Sequence, residues 1–163
     1  MKLFGNSDLH LSFAKPKPMD IFGSEWKNHD NKIADNWSRI VSSDDVALIP
    51  GDIYWALKYE DVIPDLQYIS NLPGIKVIVK GNYDYWWQSV SKLRKESLEG
   101  ISFIQSNVIE KKGIIISGTR LWGCPYVKWE GFAKGFECNK NKFNSEKIQK
   151  RELERLKSCL FKI

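Results

Sequence analysis

The sequence predicts a single layered α/β domain, a sandwich of β-sheets flanked by helices, and three observations carry that prediction. Short runs rich in Val and Ile recur, each closing on a polar or glycine-containing loop. Stretches with apolar residues at helical spacing separate them. The length of 163 residues suits one domain of ordinary size.

Taken in order, Leu3-Phe4 leads into Ser7-Asp8-Leu9-His10, and Val46 to Pro50 leads into Gly51-Asp52. Ile75 to Val79 leads into Gly81-Asn82-Tyr83-Asp84, and Ile114 to Ile116 into Gly118-Thr119. Runs of this length bounded by Gly and Asn are strand-like, and Ile101 to Ile109 adds a further strand. The first helix places Ile33, Trp37 and Ile40 on one face, with Asn28 or Asp30 as candidate caps. Val62 to Leu72 forms a second, in which Pro64 is tolerable only near the first turn. Trp86 to Leu98 forms a third, with Lys92, Arg94 and Lys95 outward. Ser145 to Ile163 closes the chain with Leu153, Leu156, Leu160 and Ile163 as an apolar stripe. Between Gly118 and Asn144 lies the longest irregular stretch, of a length that is often functional.

Composition bounds the function classes. Apolar residues make up 42% and aromatic residues 13%, which supplies a core and excludes disorder. The net charge of +5 is uneven. From Lys142 onward seven basic residues face three acidic ones, so nearly all the excess sits in the terminal helix. A nucleic-acid surface spread over the fold is therefore disfavoured. Cys124, Cys138 and Cys159 form no CxxC pair, which argues against a disulfide framework or a zinc knot. With no signal-peptide pattern and no run long enough for a membrane span, the expected location is the cytoplasm.

Chemistry concentrates at three strand ends: Asp8 and His10, then Asp52, then Asn82 and Asp84. In an α/β sheet, residues just past the carboxyl ends of strands converge on one crevice. Two carboxylates, an imidazole and an amide oxygen form a mixed hard and borderline donor set, suited to Mn, Fe or Zn more than to Ca or Cu.

Asp8-x-His10, Gly51-Asp52 and Gly81-Asn82-x-Asp84, in this order and on these strand ends, resemble the motifs of the calcineurin-like metallophosphoesterase family. The surrounding words (Ser7-Asp8-Leu9-His10-Leu11-Ser12, Pro50-Gly51-Asp52-Ile53, Lys80-Gly81-Asn82) are close to a bacterial branch of it. The resemblance implies a metal-dependent phosphoester hydrolase using two divalent ions. Asp8 and His10 would hold the first ion, Asp52 would bridge both, and Asn82 would bind the second. Tyr83 and Asp84 would occupy the catalytic His-Asp positions, and Arg120 is a candidate to pair with the substrate phosphate.

Two departures temper the expected activity. Tyr83 stands where the family has the histidine of G-N-H-D, and a phenol with an ordinary pKa of about 10 is a poor acid at neutral pH. Losing such an acid typically costs on the order of 10²–10⁴ in rate. The sequence also holds only two histidines, His10 and His29, whereas the family's later motifs supply more. The expectation is a domain truncated after the helix at 145–163 and lacking C-terminal strands, with at most one weakly held ion and weak or no activity. The alternative is a non-catalytic remnant or interaction module, self-associating through the Leu153–Ile163 face. His29 reads as a solvated surface residue. Trp37, Trp86 and Trp87 read as core, and Trp55 and Trp122 as candidates to line a substrate crevice. Cys124 is the cysteine nearest the expected site.

Overall fold

Val46-Ala47-Leu48-Ile49 is apolar on both sides, a pattern that only a strand covered on both faces tolerates. The structure, a computed structural model that describes residues 1–96, 98–121 and 142–161, places this run at the heart of a parallel sheet. Its strands are β1 (Leu3–Gly5), β2 (Val46–Ile49), β3 (Ile75–Val79) and β4 (Ile101–Ile104), in that spatial order and all parallel. The register pairs Leu3 with Val46, Val46 with Ile75, and Lys76 with Ile101. Helices α1 (His29–Ile40), α2 (Tyr59–Asn71) and α3 (Val90–Lys95) make the three crossovers. The antiparallel strands β5 (Asn107–Lys111) and β6 (Ile114–Gly118) form a separate hairpin, and α4 (Lys142–Leu160) contacts β6.

Strand periodicity divides the core. Ala47, Ile49, Ile78, Ile101 and Phe103 face the helices, packing with Trp37, Val62, Leu66, Ile69, Trp86 and Leu93. Val46, Val77 and Ile104 face the other way, against Ile116 with Ile109 and Ile114 of the hairpin. The chain is thus a mixed α/β domain, with a four-stranded parallel sheet and an antiparallel pair flanked by helices.

Several elements differ from expectation. The run 101–109 is two strands, because Ser106 takes a left-handed φ of 60° and turns the chain from one sheet into the other. The third helix is only Val90–Lys95, since Trp86 and Trp87 are committed to the core ahead of it. Their indole N–H groups donate to Asp84 Oδ1 and Gln105 Oε1, and the Ser89 hydroxyl caps the helix by accepting from the Lys92 N–H. Pro64 lies in the second turn of α2, not the first. Asn28 sits at the N-cap of α1 but is left-handed and makes no side-chain capping bond. On α4, among the described residues, the buried positions are Glu152 and Cys159, while Leu153 and Leu160 of the expected stripe are exposed.

Two buried polar residues bind elements together. The Lys76 side chain, 2% exposed within β3, donates to the carbonyls of Ser70, Leu72 and Gly74, tying off the end of α2. Burial pushes its ammonium below the usual range. Asp65 of α2 accepts the Phe13 N–H at 3.2 Å, while its other oxygen is buried without a hydrogen-bond partner. Burial raises this carboxyl to about 6. Its folded pKa lies above its ordinary 3.8, so folding takes up a proton between the two values. The stability that uptake confers is full below pH 3.8 and is lost as pH rises through about 6. Asp65→Asn keeps an acceptor for Phe13 and removes the charge. It is expected to stabilise the fold at pH 7 by up to about 3 kcal/mol and to leave stability near pH 4 almost unchanged. Urea unfolding at both pH values measures this, and an equal effect at the two would refute it.

Candidate metal centre

Asp8 and His10 follow β1, Asp52 follows β2, and Asn82, Tyr83 and Asp84 follow β3, so the crossovers deliver all six to one edge of the sheet. The first two loops run alongside each other. Asp8 N–H donates to the Gly51 carbonyl at 3.1 Å, His10 N–H to Asp52 at 3.0 Å and Leu11 N–H to Ile53 at 2.8 Å. This extends the parallel pairing beyond the strands and fixes the spacing of the side chains.

The backbone there is strained. Asp8, His10 and Asp52 have φ of 57°, 44° and 57°, left-handed values that cost non-glycine residues energy and cluster at functional sites. Gly51, at φ 94°, runs against Gly81 so closely that a Cβ on Gly51 would overlap the Gly81 backbone. A Cβ on Gly81 would in turn overlap Asp52. Both glycines are required for the β2 and β3 loops to meet.

One potential ligand atom from each of Asp8, His10 and Asp52 lies within 4.8 Å of the others. His10 Nε2 is 3.8 Å from Asp8 Oδ1, and His10 Nδ1 is buried without a hydrogen-bond partner. Burial above all lowers the His10 pKa, against the pull of the Asp8 and Asp84 carboxylates. Asp52 is raised to about 6, again chiefly by burial, with the Tyr83 N–H opposing and Asp84 and Asp8 adding to the rise.

Asp84 is fully buried and anchors the loops. Its carboxylate accepts the N–H groups of Asp52, Ile53 and Gly81 at 2.8–2.9 Å and the Trp86 indole N–H at 3.1 Å. Burial pushes its carboxyl up while these backbone donors hold it down. Tyr83 donates its N–H to Asp52 Oδ1 at 2.9 Å, and its ring lies 5.2 Å from Trp55. Asn82 is exposed on the same loop.

Arg120 is turned onto α4, its Nε 3.6 Å from the fully buried Glu152, which also takes Arg151, Arg155 and the Thr119 hydroxyl. Its charge contributes, after burial, to lowering Lys80, the residue before Gly81. Trp122, Cys124 and Cys138 lie outside the described residues.

His29 belongs to the site's surroundings and is not a freely solvated residue. Its Nε2 is 3.2 Å from the His10 carbonyl and its ring is 5.5 Å from Trp26. The polar stretch around it gave no signal of this, because the contact depends on where α1 begins. Beside Asp8 opens a cavity of about 540 Å³, lined by Phe4, Asn6, Trp26, His29 and Trp37 among others.

Comparison with known proteins bears on the fold alone. No family model matches the chain. It is 32% identical over 78 residues to the Gene 66 protein of Mycobacterium phage L5, a match spanning 48% of this chain and 37% of the phage protein. It is similar in structure to a crystal structure of a protein of unknown function from Aquifex aeolicus. That similarity has a TM-score of 0.50 and 20% identity, and covers 96% of this chain and 74% of the other. Among the described residues, no helix is long and apolar enough to cross a membrane.

Proposed function

We propose that this chain carries a calcineurin-like metallophosphoesterase fold whose Asp8–His10–Asp52 cluster binds a divalent metal ion, Mn, Fe or Zn, for phosphoester hydrolysis. The observation that carries the reading is the convergence of those three side chains, from two sequence-distant loops, to within 4.8 Å. The donor set fits. Two carboxylates and an imidazole match a borderline divalent ion, and burial favours the neutral form of His10, the form that ligates a metal. A cation among them would offset the cost of crowding carboxylates there.

A bound ion would supply Lewis-acid charge to the phosphoryl oxygens. The chain's own residues position the rest. Asp84 holds the β2 and β3 loops together, the Tyr83 N–H orients Asp52, and Asn82 is available from the same loop. With a phenol at Tyr83 in place of an imidazole, turnover by this chain is weak or absent, and metal binding is the property expected to survive.

Titration with Mn²⁺ by calorimetry, with hydrolysis of a chromogenic phosphodiester followed in the same samples, tests this. Wild type is expected to bind one ion, and Asp52→Asn to weaken that binding at least tenfold. Equal Mn²⁺ affinity in the two proteins would refute the site. Binding without turnover would support the metal centre in a non-catalytic domain.

A further inference from the structure

Glu152 is surrounded by more positive charge than one carboxylate can balance. Arg120, Arg151 and Arg155 approach its buried Oε1 at 3.6, 3.1 and 2.7 Å, three cations on one anion. The same carboxylate fixes the Arg151 and Arg155 side chains along α4, and both stay more than 40% exposed. Beside them opens a groove of about 550 Å³, walled by Lys147, Lys150, Arg151, Arg155 and Ser158 of α4 and by Ser106 from the turn after β4. Glu154 also lines it, but its charge is taken up by Lys157 at 3.1 Å. Lys147 and Lys150 are exposed and form no ion pair among the described residues. The Ser106 hydroxyl is buried with no hydrogen-bond partner. Buried hydroxyls are nearly always paired, so this one lacks an acceptor that a ligand could supply.

We propose that this groove holds the sugar-phosphate backbone of a nucleic-acid strand, without regard to its sequence. From Lys147 to Arg155 the cations extend over about 12 Å of helix, at roughly 1.5 Å per residue, which is longer than one phosphate needs. The Ser106 and Ser158 hydroxyls supply neutral donors to phosphate oxygens beside those charges. No aromatic ring lines the groove among the described residues, so it has no platform on which to stack or read bases. A positive excess confined to the terminal helix is too local for a surface spread over the fold, and it suits a single track. An anionic membrane fits less well. The helical repeat puts the exposed Leu153 and Leu160 across α4 from Lys147, Arg151 and Ser158, so one plane cannot meet both sets. None of Asp8, His10 and Asp52 lines the groove, so the proposal is independent of the metal centre.

Fluorescence anisotropy of a labelled mixed-sequence 20-nucleotide DNA strand, titrated with the full chain in EDTA over a range of KCl concentrations, tests this. The logarithm of affinity is expected to fall with the logarithm of salt at a slope of about −3, as four phosphate contacts require. Lys147→Gln with Lys150→Gln is expected to weaken binding at low salt at least tenfold and to bring the slope to about −1.5. Lys92→Gln with Lys95→Gln removes the same charge from α3 and is expected to change affinity less than twofold. Ser106→Gly removes the hydroxyl at a left-handed position that glycine suits, and is expected to weaken binding two- to fivefold without lowering the melting temperature. Equal losses from the α3 and α4 pairs would show attraction to net charge alone and overturn the groove. Unchanged affinity in Ser106→Gly would overturn the placement of the strand. Displacement of the DNA by poly-glutamate or by inorganic phosphate at equal anion concentration would overturn the nucleic acid, as would equally tight binding to phosphatidylserine vesicles.

Discussion

Asp84→Ala is expected to destabilise the fold by about 3–5 kcal/mol, lowering the melting temperature by roughly 10 °C. The carboxylate satisfies three backbone N–H groups from two loops and one indole N–H, all in a place water does not reach. Truncation strands those donors together, and unpaired buried donors are costly in a way that a lost surface contact is not. The same change should abolish Mn²⁺ binding, because Asp52 is positioned by the backbone that Asp84 holds. Thermal melting and metal titration of the one variant measure both effects. A melting temperature within about 2 °C of wild type would show that Asp84 is not the anchor.

Gly51→Ala is expected to do still more damage, preventing folding outright. Its φ of 94° is unfavourable for any L side chain, and the added carbon would overlap the Gly81 backbone, which cannot move without dragging the β3 loop away from Asp52. Losses above about 4 kcal/mol are confined to a few mechanisms, and a backbone overlap at a strained position combines two of them. Gly5→Ala provides the contrast. Nothing lies within 4 Å of the carbon it would add, so its effect should stay within about 0.5 kcal/mol. Far-UV circular dichroism and soluble yield of the two variants decide the matter. Comparable folding of both would refute the close-approach argument.

The contrast between those glycines bears on how much of the molecule could be read in advance. Strand ends were legible because apolar β-branched runs stop abruptly at Gly-Asp and Gly-Asn; of the motif residues at those stops, Asp8, His10 and Asp52 lie within 4.8 Å of one another and Asp84 ties their loops together, while Asn82 is exposed. What the sequence could not show are contacts fixed by distant backbone. Lys76 interrupts an otherwise apolar strand, and only the carbonyls at the end of α2 explain a lysine that is 2% exposed. Glu152 looks like one more surface acid on a basic helix, yet it is the buried centre of an arginine cluster, because α4 rests on the segment after β6. The division of 101–109 turned on a single left-handed serine, which no apolar periodicity reveals. His29 joined the site for a similar reason. Periodicity reports which residues prefer burial, not which carbonyl or carboxylate will meet them.

The parallel order β1-β2-β3-β4 has a kinetic consequence. Each neighbouring pair of strands is joined by a full crossover, and the bond from the Asp52 N–H to Asp84 spans 32 positions. Contacts of that separation require loop closure to be accomplished before they return any stabilisation, which slows their formation. No single crossover assembles the cluster, since Asp8 and His10 depend on the first and the anchoring of Asp52 depends on the second. A metal ion would therefore meet its ligands only after two of the three crossovers had closed. Uptake of the ion would then report the last stages of assembly rather than guide the first.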